Sequence, residues 1–323
     1  SVAVGYQALS SNTTGSYNTA VGYQSLTNNT TGSYNSSNGA YALLNNTTGS
    51  YSTAVGYQSL SLTTTGTANT AIGYQSLFFN TSGSYNTALG WQSLILNTSG
   101  NWNTAIGNTA LYSNSTGYRN SAIGNESLFK NTIGINNSAN GFATLYNNTS
   151  GNYNTAHGSI AGYTNATGNY NTFIGSNADV ASNNLTNATA IGANAIVDAS
   201  NKIRLGDNSI TVIEGKVGFT ISSDRRLKAN IENTKYGLET ILKLAPVDYT
   251  LKSNGLAQIG FIAQDVQPLV PEAVNGTEGA LEKGETLGIT YTTLIPVLTK
   301  AIQQQQQIID RLLKRIEALE SEK

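Results

Sequence analysis

Side chains equipped for chemistry are scarce in this 323-residue chain. It has no Cys, no Met and a single His, His157. Those counts exclude thiol catalysis, a disulfide scaffold and a zinc site, so neither a metal nor a cofactor is expected. Residues 1–192 hold four charged side chains: Arg119, Glu126, Lys130 and Asp179. Two carboxylates so placed do not furnish the paired acids of glycoside hydrolysis along a repeat. His157 replaces the apolar residue usual at this place in the repeat, which reads as structural. The densest run of reactive groups is Ser223-Asp224-Arg225-Arg226-Leu227-Lys228; taken alone it is a charged turn.

The elements that would carry these residues come from two different kinds of polymer. Charged residues make up 11% of the chain, against about 25% in an ordinary soluble domain. All but the four just named lie in residues 193–323. A formal net charge of −1 with no basic stripe argues against nucleic acid as a partner. Nothing resembles a run of about 18 apolar residues, so no membrane insertion is expected. The chain starts inside a repeat, without Met or signal peptide, so the natural N-terminus and its anchor are expected to be missing.

Glycines recur at Gly5, Gly22, Gly39, Gly56, Gly73, Gly90, Gly107, Gly124, Gly141, Gly158, Gly175 and Gly192, always 17 residues apart, and a second series from Gly15 to Gly168 keeps phase. The unit reads N-T-A-V-G-Y-Q-S-L-x-x-N-T-T-G-S-Y. Seventeen residues are too few for a helix pair and suit one coil of a β-solenoid with two short strands and two turns. The T-A-V-G-Y-Q-S-L stretch is expected to supply a strand, with small Ala20, Ala54, Ala71, Ala88 and Ala105 inside. The N-x-T-G stretch is expected to turn, its Gly at positive φ and its Asn bonding its own backbone. Coils about 4.8 Å apart would stack twelve units into a rod of roughly 60 Å. Asn18, Asn35, Asn69, Asn86, Asn103, Asn120, Asn137, Asn154 and Asn171 should form a side-chain ladder. Tyr17, Tyr34, Tyr51, Tyr85, Trp102, Tyr153 and Tyr170 should form an aromatic column, as packing or as a sugar-binding stripe. Sequons such as Asn12-Thr13-Thr14 and Asn29-Thr30-Thr31 are explained by periodicity without glycosylation.

The N-T-A-V-G and N-T-A-I-G units resemble the head repeats of trimeric bacterial adhesins, whose chains form left-handed β-rolls packed in threes. The family's repeats are typically shorter, so a 17-residue unit departs by an enlarged turn. This resemblance covers about residues 1–192 and implies a homotrimeric rod for display or attachment. Residues 193–222, with Ala193, Ile196, Ile203, Leu205 and Gly206, lose the 17-residue phase and read as a closing coil or neck.

From Ser222 onward the pattern is that of a small α+β domain. Tyr236–Leu244 reads as helix, Val247–Leu251 and Gln258–Ile262 as strands, and Pro268 and Pro271 bracket a turn. A final helix, about 294–320, has heptad order: Ile295, Ile302, Ile309 and Ile316 on one seam position, Leu298, Gln305, Leu312 and Leu319 on the other. Ile and Leu so placed favour two strands in isolated coils, so this helix by itself does not specify a trimer.

Three motifs follow in order: S-D-R-R-L-K at Ser223–Lys228, G-F-I-A-Q-D-V-Q-P-L-V-P-E-A-V at Gly260–Val274, and Y-T-T-L-I-P-V-L-T-K-A-I-Q-Q-Q at Tyr291–Gln305. Together they resemble the C-terminal intramolecular chaperone of phage tail spikes and endosialidases, the self-cleaving S74 peptidase type, over 223–323. The resemblance implies a trimeric chaperone that folds the upstream fibre and then cuts itself off between Ser223 and Asp224. It makes Ser223 the essential serine and Lys228 its base. Such a base must be neutral, which desolvation or nearby positive charge favours; Arg225 and Arg226 are close enough in sequence to repel it.

The expected molecule is therefore mainly β: a 1–192 solenoid, a 193–222 neck and a 223–323 chaperone ending in a coiled coil. Its expected function is a trimeric tail-fibre or adhesin segment released by single-turnover autoproteolysis, with no enzyme activity in the repeats. The partners are further copies of itself and a host-surface glycan or receptor, on a virion tail fibre or a bacterial surface. The alternative is a structural, ice-binding or glycan-binding solenoid with an uncleaved trimerisation domain. Its Thr13-Thr14 and Thr30-Thr31 pairs fall in turns, which weakens the ice reading.

Overall fold

The computed structural model describes residues 1–252, 255–276, 278–279 and 286–321, so the last two residues of the expected chaperone lie outside the described residues. It forms two units, Ser1–Asn208 and Ser209–Lys323.

The first unit is a β-solenoid. Thirteen strands make one parallel sheet in chain order, beginning Val2–Val4, Thr19–Val21, Ser36–Asn38 and ending Thr189–Ile191, Ile203–Leu205. Partners are 17 residues apart, as in Ala71↔Ala88 and Ala88↔Ala105. At the last step the spacing drops to 14, with Thr189 opposite Ile203. In each three-residue strand the middle residue points inward and the outer two point away, the period-2 alternation of extended backbone. Most coils thus contribute one Ala, such as Ala88, and one Leu, such as Leu94, to a fully buried file of side chains; Ser37 takes the Ala place in one coil.

Two expectations about the coil are corrected. Along most of the solenoid each coil carries one strand, not two; a second pair, Asp179–Val180 with Ile196–Val197, forms near the end. The Y-Q-S-L stretch cannot extend because Gln24 and Leu26, and their equivalents, are left-handed, with φ 50° and 54°. Tyr34 is a third such residue, with φ 61°. Left-handed residues cost about 1–2 kcal/mol each, and here each is held by a bond along the stack. The Gln24 N–H donates back to Tyr6 O at 2.8 Å, the Leu26 N–H forward to Ala42 O at 2.9 Å, and the Tyr34 N–H back to Ser16 O at 3.0 Å. The chain turns corners while its amides still point at neighbouring coils.

Positive φ belongs to the other glycine series. Gly90 and its equivalents sit between +115° and +148°, a region that side chains shun, whereas the Gly15 series in the N-x-T-G turn does not adopt positive φ. Glycine is required in the turn by crowding: a Cβ on Gly32 would collide with the Gly49 carbonyl oxygen and with Asn29 Oδ1.

The expected Asn ladder is present. Asn35 takes its backbone N–H to Asn18 Oδ1 at 2.9 Å, and its Nδ2 donates to Gly49 O at 2.9 Å. A second ladder stands beside it, in the Asn of the sequons. Asn29 Nδ2 donates to Asn12 Oδ1 at 2.7 Å and to Gly32 O at 2.9 Å. Asn29, Asn46, Asn80, Asn97, Asn114 and Asn148 are buried, so their amides have no room for a sugar in the folded coil.

One departure from the repeat is paired with another. The inward Ala becomes Phe173, and the inward Leu of the preceding coil becomes Gly162. A Cβ on Gly162 would lie 2.6 Å from Phe173 Cδ2, so the ring fills the space that the missing Leu leaves.

Among the described residues of the second unit, three α-helices follow in order: α1 (Leu238–Ile241), α2 (Ala263–Val266) and α3 (Leu294–Ser321). Two antiparallel hairpin pairs accompany them, Val247–Thr250 with Ala257–Gly260 and Val274–Gly276 with Leu287–Ile289. Val266, Val270, Ala273, Leu294 and Val297 form its small core. The helix expected over Tyr236–Leu244 is confined to one turn. Its N-terminal Leu238 N–H is capped by Gln304 Oε1 of α3 at 2.7 Å. On α3 the Ile295, Ile302, Ile309 and Ile316 seam, with Leu298, Leu312 and Leu319, is exposed on the single chain.

The Phe173–Gly162 exchange makes a stability prediction. Phe173→Ala should destabilise the solenoid by about 3–5 kcal/mol through the cavity it leaves. Adding Gly162→Leu restores the ordinary Ala–Leu coil and should recover most of that loss in chemical denaturation. Gly162→Leu alone should overpack and cost about 1–3 kcal/mol.

Candidate active site

Chain direction brings the reactive run together. Asp224 caps a short 3-10 turn, Arg225–Leu227, its Oδ1 accepting the Arg226 N–H at 2.8 Å. The Arg226 guanidinium folds back on the same carboxylate, with Nη2 2.6 Å from Oδ2. The turn closes when the Lys228 N–H donates to Arg225 O at 3.1 Å, and Lys228 leaves it in extended conformation. That reversal returns the Lys228 side chain to the residue before the turn. Its Nζ lies 2.7 Å from Ser223 Oγ. A five-residue spacing thus becomes one hydrogen bond, because a single helical turn separates its ends.

The electrostatics differ from the simplest sequence reading in one respect. Arg226 is occupied by Asp224 and holds that carboxyl below its ordinary pKa, chiefly through the side-chain bond and then through the backbone bond. Its charge is therefore partly offset before it reaches Lys228. Ser223, Asp224 and Lys228 are all exposed to solvent. Ser223 Oγ and Lys228 Nζ are within proton-transfer reach of each other, and the single chain leaves both in water.

The other two sequence motifs meet each other. The Phe261 N–H donates to Tyr291 Oη at 3.1 Å. A Cβ on the neighbouring Gly260 would strike that hydroxyl. Among the described residues, no hydrogen bond joins this pair to Ser223 or Lys228. They shape the domain core and do not line the Ser–Lys pair.

On the solenoid the aromatic column is realised as stacked rings. Tyr17–Tyr34 centroids are 4.9 Å apart, Tyr34–Tyr51 5.0 Å and Tyr153–Tyr170 5.0 Å, all nearly parallel. Ala68 interrupts the column, and Arg119 lies over Trp102 at 5.5 Å. The rings cover one another's faces, leaving mainly edges and hydroxyls to solvent. Three further files were not read from sequence, although the same 17-residue phase carries them. Tyr57, Tyr74 and Trp91 stack in one, and Tyr112, Phe129, Tyr146 and Tyr163 in another. The third is aliphatic: Val55, Ile72, Leu89, Ile123, Ile174 and Ile191 stand exposed on the outer face of the sheet. His157 lies in this last file, opposite Ile174. Asp179, half hidden at the end of the stack, accepts the Thr164 and Val180 N–H groups; burial raises its pKa, and those bonds oppose the rise.

Residues 223–275 match the family model Peptidase_S74, described as the chaperone of endosialidase. The match begins at Ser223 and contains the first two motifs and Lys228; the third motif lies beyond it. No curated protein and no solved structure matches the chain.

The Asp224–Arg226 pair makes a titration prediction. By NMR, the Asp224 carboxyl should titrate below the ordinary aspartate range, and Arg226→Ala should return it upward. The charged form is the one that caps the turn. Acidification through that lowered pKa should therefore loosen 224–228 and broaden the Ser223 and Lys228 signals. An unchanged titration in Arg226→Ala would refute this arrangement.

Proposed function

We propose that this chain is a trimeric fibre or adhesin segment whose C-terminal part chaperones its assembly and then releases itself by cutting between Ser223 and Asp224. The observation that carries the reading is the 2.7 Å contact between Lys228 Nζ and Ser223 Oγ, at the first residue of the match to the self-cleaving family. In this reading Lys228 is the base and Ser223 the essential hydroxyl.

The bond cut constrains the route. Attack by Ser223 Oγ on its own carbonyl carbon would close a strained four-membered ring. Attack on the Ser222 carbonyl would close a five-membered ring, but the product would begin at Ser223. A Ser223–Asp224 cut therefore calls either for a serine from another copy or for water placed by Ser223 and Lys228. Either route needs the pair shielded from solvent, which ties the cut to association.

Association is supported by two unpartnered apolar surfaces: the Ile and Leu seam of α3 and the aliphatic file of the sheet. A C-terminal clamp answers a specific difficulty of identical coils, because slipping by one coil preserves nearly every neighbour contact. Once the clamp is gone, a high unfolding barrier keeps the rod folded. A virion tail fibre or a bacterial surface is the setting that fits, and a host glycan would meet ring edges and hydroxyls of the tyrosine files.

A second reading has one observation behind it. The outer sheet face carries a rank of Thr19, Thr53, Thr70, Thr87 and Thr104 beside the aliphatic file, a flat ordered surface suited to ice. Thermal hysteresis by the isolated rod would favour it.

The main test compares wild-type protein with Ser223→Ala and Lys228→Met. Wild type should yield a product spanning 224–323, with an intact mass that starts at Asp224. Ser223→Ala should slow its appearance by about three orders of magnitude or more, and Lys228→Met by about 10²–10⁴-fold. Identical band patterns in all three would overturn the reading. A product starting at Ser223 would replace the Ser223–Asp224 cut with the five-membered route.

A further inference from the structure

The stretch just before the Ser–Lys pair has the side-chain pattern of a strand but no partner to pair with. Residues 210–222 form neither helix nor strand, and among the described residues they make no hydrogen bond. From Lys216 the side chains alternate. Val217, Phe219 and Ile221 occupy the odd positions, and Lys216, Gly218, Thr220 and Ser222 the even ones. That period of two is the signature of a strand with one face to bury. In the single chain the face is open: Val217 is 84% exposed, Phe219 94% and Ile221 71%. Nothing lies within 4 Å of a Cβ built on Gly218.

The occupant of that face follows from the other open seam in the same unit. A heptad seam of Ile and Leu on α3 aligns copies in register when helices run parallel. In-register copies carry their identical 216–222 segments at one level, and their odd faces are complementary to one another. Each then receives its missing backbone partners and its apolar cover together, with Lys216 on the outer, polar side.

We infer that residues 216–222 become a strand only between copies of this chain, and that this pairing is what removes the Ser223–Lys228 pair from water. Ser223 is the next odd position, so it continues the inward face at the end of the strand. The turn over 224–227 then brings Lys228 Nζ to the same end. The apolar strand acts as a timer: before association the pair stands in solvent, and afterwards it lies against a dry junction that favours a neutral amine. The timing half of this inference rests on Ser223 and Lys228 being the cleaving pair; the strand half does not.

The test uses the full chain. Phe219 is 94% exposed and belongs to neither core, so Phe219→Ser leaves the packing of both cores intact. With cross-linking used to confirm equal association, Phe219→Ser should slow cleavage by about tenfold or more, the factor by which one pKa unit changes the neutral fraction of an amine. Raising the pH should recover much of that rate, and Phe219→Leu should cleave like wild type. Hydrogen exchange on uncut, associated Ser223→Ala protein should show protected amides across 216–222. Cleavage of Phe219→Ser at the wild-type rate would overturn the timer. Free exchange across 216–222 in the associated protein would overturn the strand. If wild type itself yields no Ser223-dependent product, the proposed function fails, and the exchange experiment still decides the strand.

Discussion

A buried amide that must find its partner one coil away sets the terms for the whole solenoid. Asn18, Asn35 and their equivalents sit out of water with donors and acceptors that only neighbouring coils can satisfy. Leaving such a group unpaired costs about 1–3 kcal/mol, and most coils hold two of them, Ser52 and Thr63 standing in both places in one coil. An inserted or deleted residue would displace both ladders together with the Gly columns beside them. The 17-residue period is held without exception through Gly192 for that reason. The charge-poor composition has the same origin, since a stack of identical coils repeats any charge on itself about every 4.8 Å. The charges that do occur are accommodated singly: Arg119 rests on Trp102, and Lys130 Nζ reaches Asn147 Oδ1 at 2.9 Å.

The C-terminal unit follows a different economy. Its core is small, its apolar residues lie largely in open seams, and its reactive pair is assembled by a single turn rather than by a cavity. The α3 seam and the 216–222 face, both open on the single chain, are those through which association would act on Ser223 and Lys228. The solenoid buries its polar groups within one chain, whereas the second unit leaves apolar ones uncovered.

Much of this could be read from residue spacing, and the misses have physical causes. The repeat length, the inward Ala, the Asn18 ladder and the Tyr17 column follow from recurrence alone. The single strand per coil does not, because left-handed Gln24 and Leu26 are residues that rarely adopt positive φ in isolation. Positive φ was expected of the turn glycine and falls instead on the Gly90 series, because Gly32 is required by a close approach and Gly90 by backbone angle, and both appear in sequence simply as Gly. The Asn29 ladder was hidden behind its resemblance to a glycosylation sequon. At the candidate site, the order of residues suggested a pair, but only the Asp224-capped turn explains how five residues close to 2.7 Å, and why Arg226 faces Asp224 instead of Lys228.

Phe173 is the bulkiest fully buried side chain among the described residues, and its space exists because Gly162 is small. In a stack of nearly interchangeable coils, that lock-and-notch is one of the few places where one address differs from the next. Shortening the final step to 14 residues is another. A scale of equal divisions cannot tell a reader where zero is. These two irregularities, both near the end that leads into the second unit, number the coils: a chain slipped by one coil would set Phe173 against a Leu where it needs the space that Gly162 leaves.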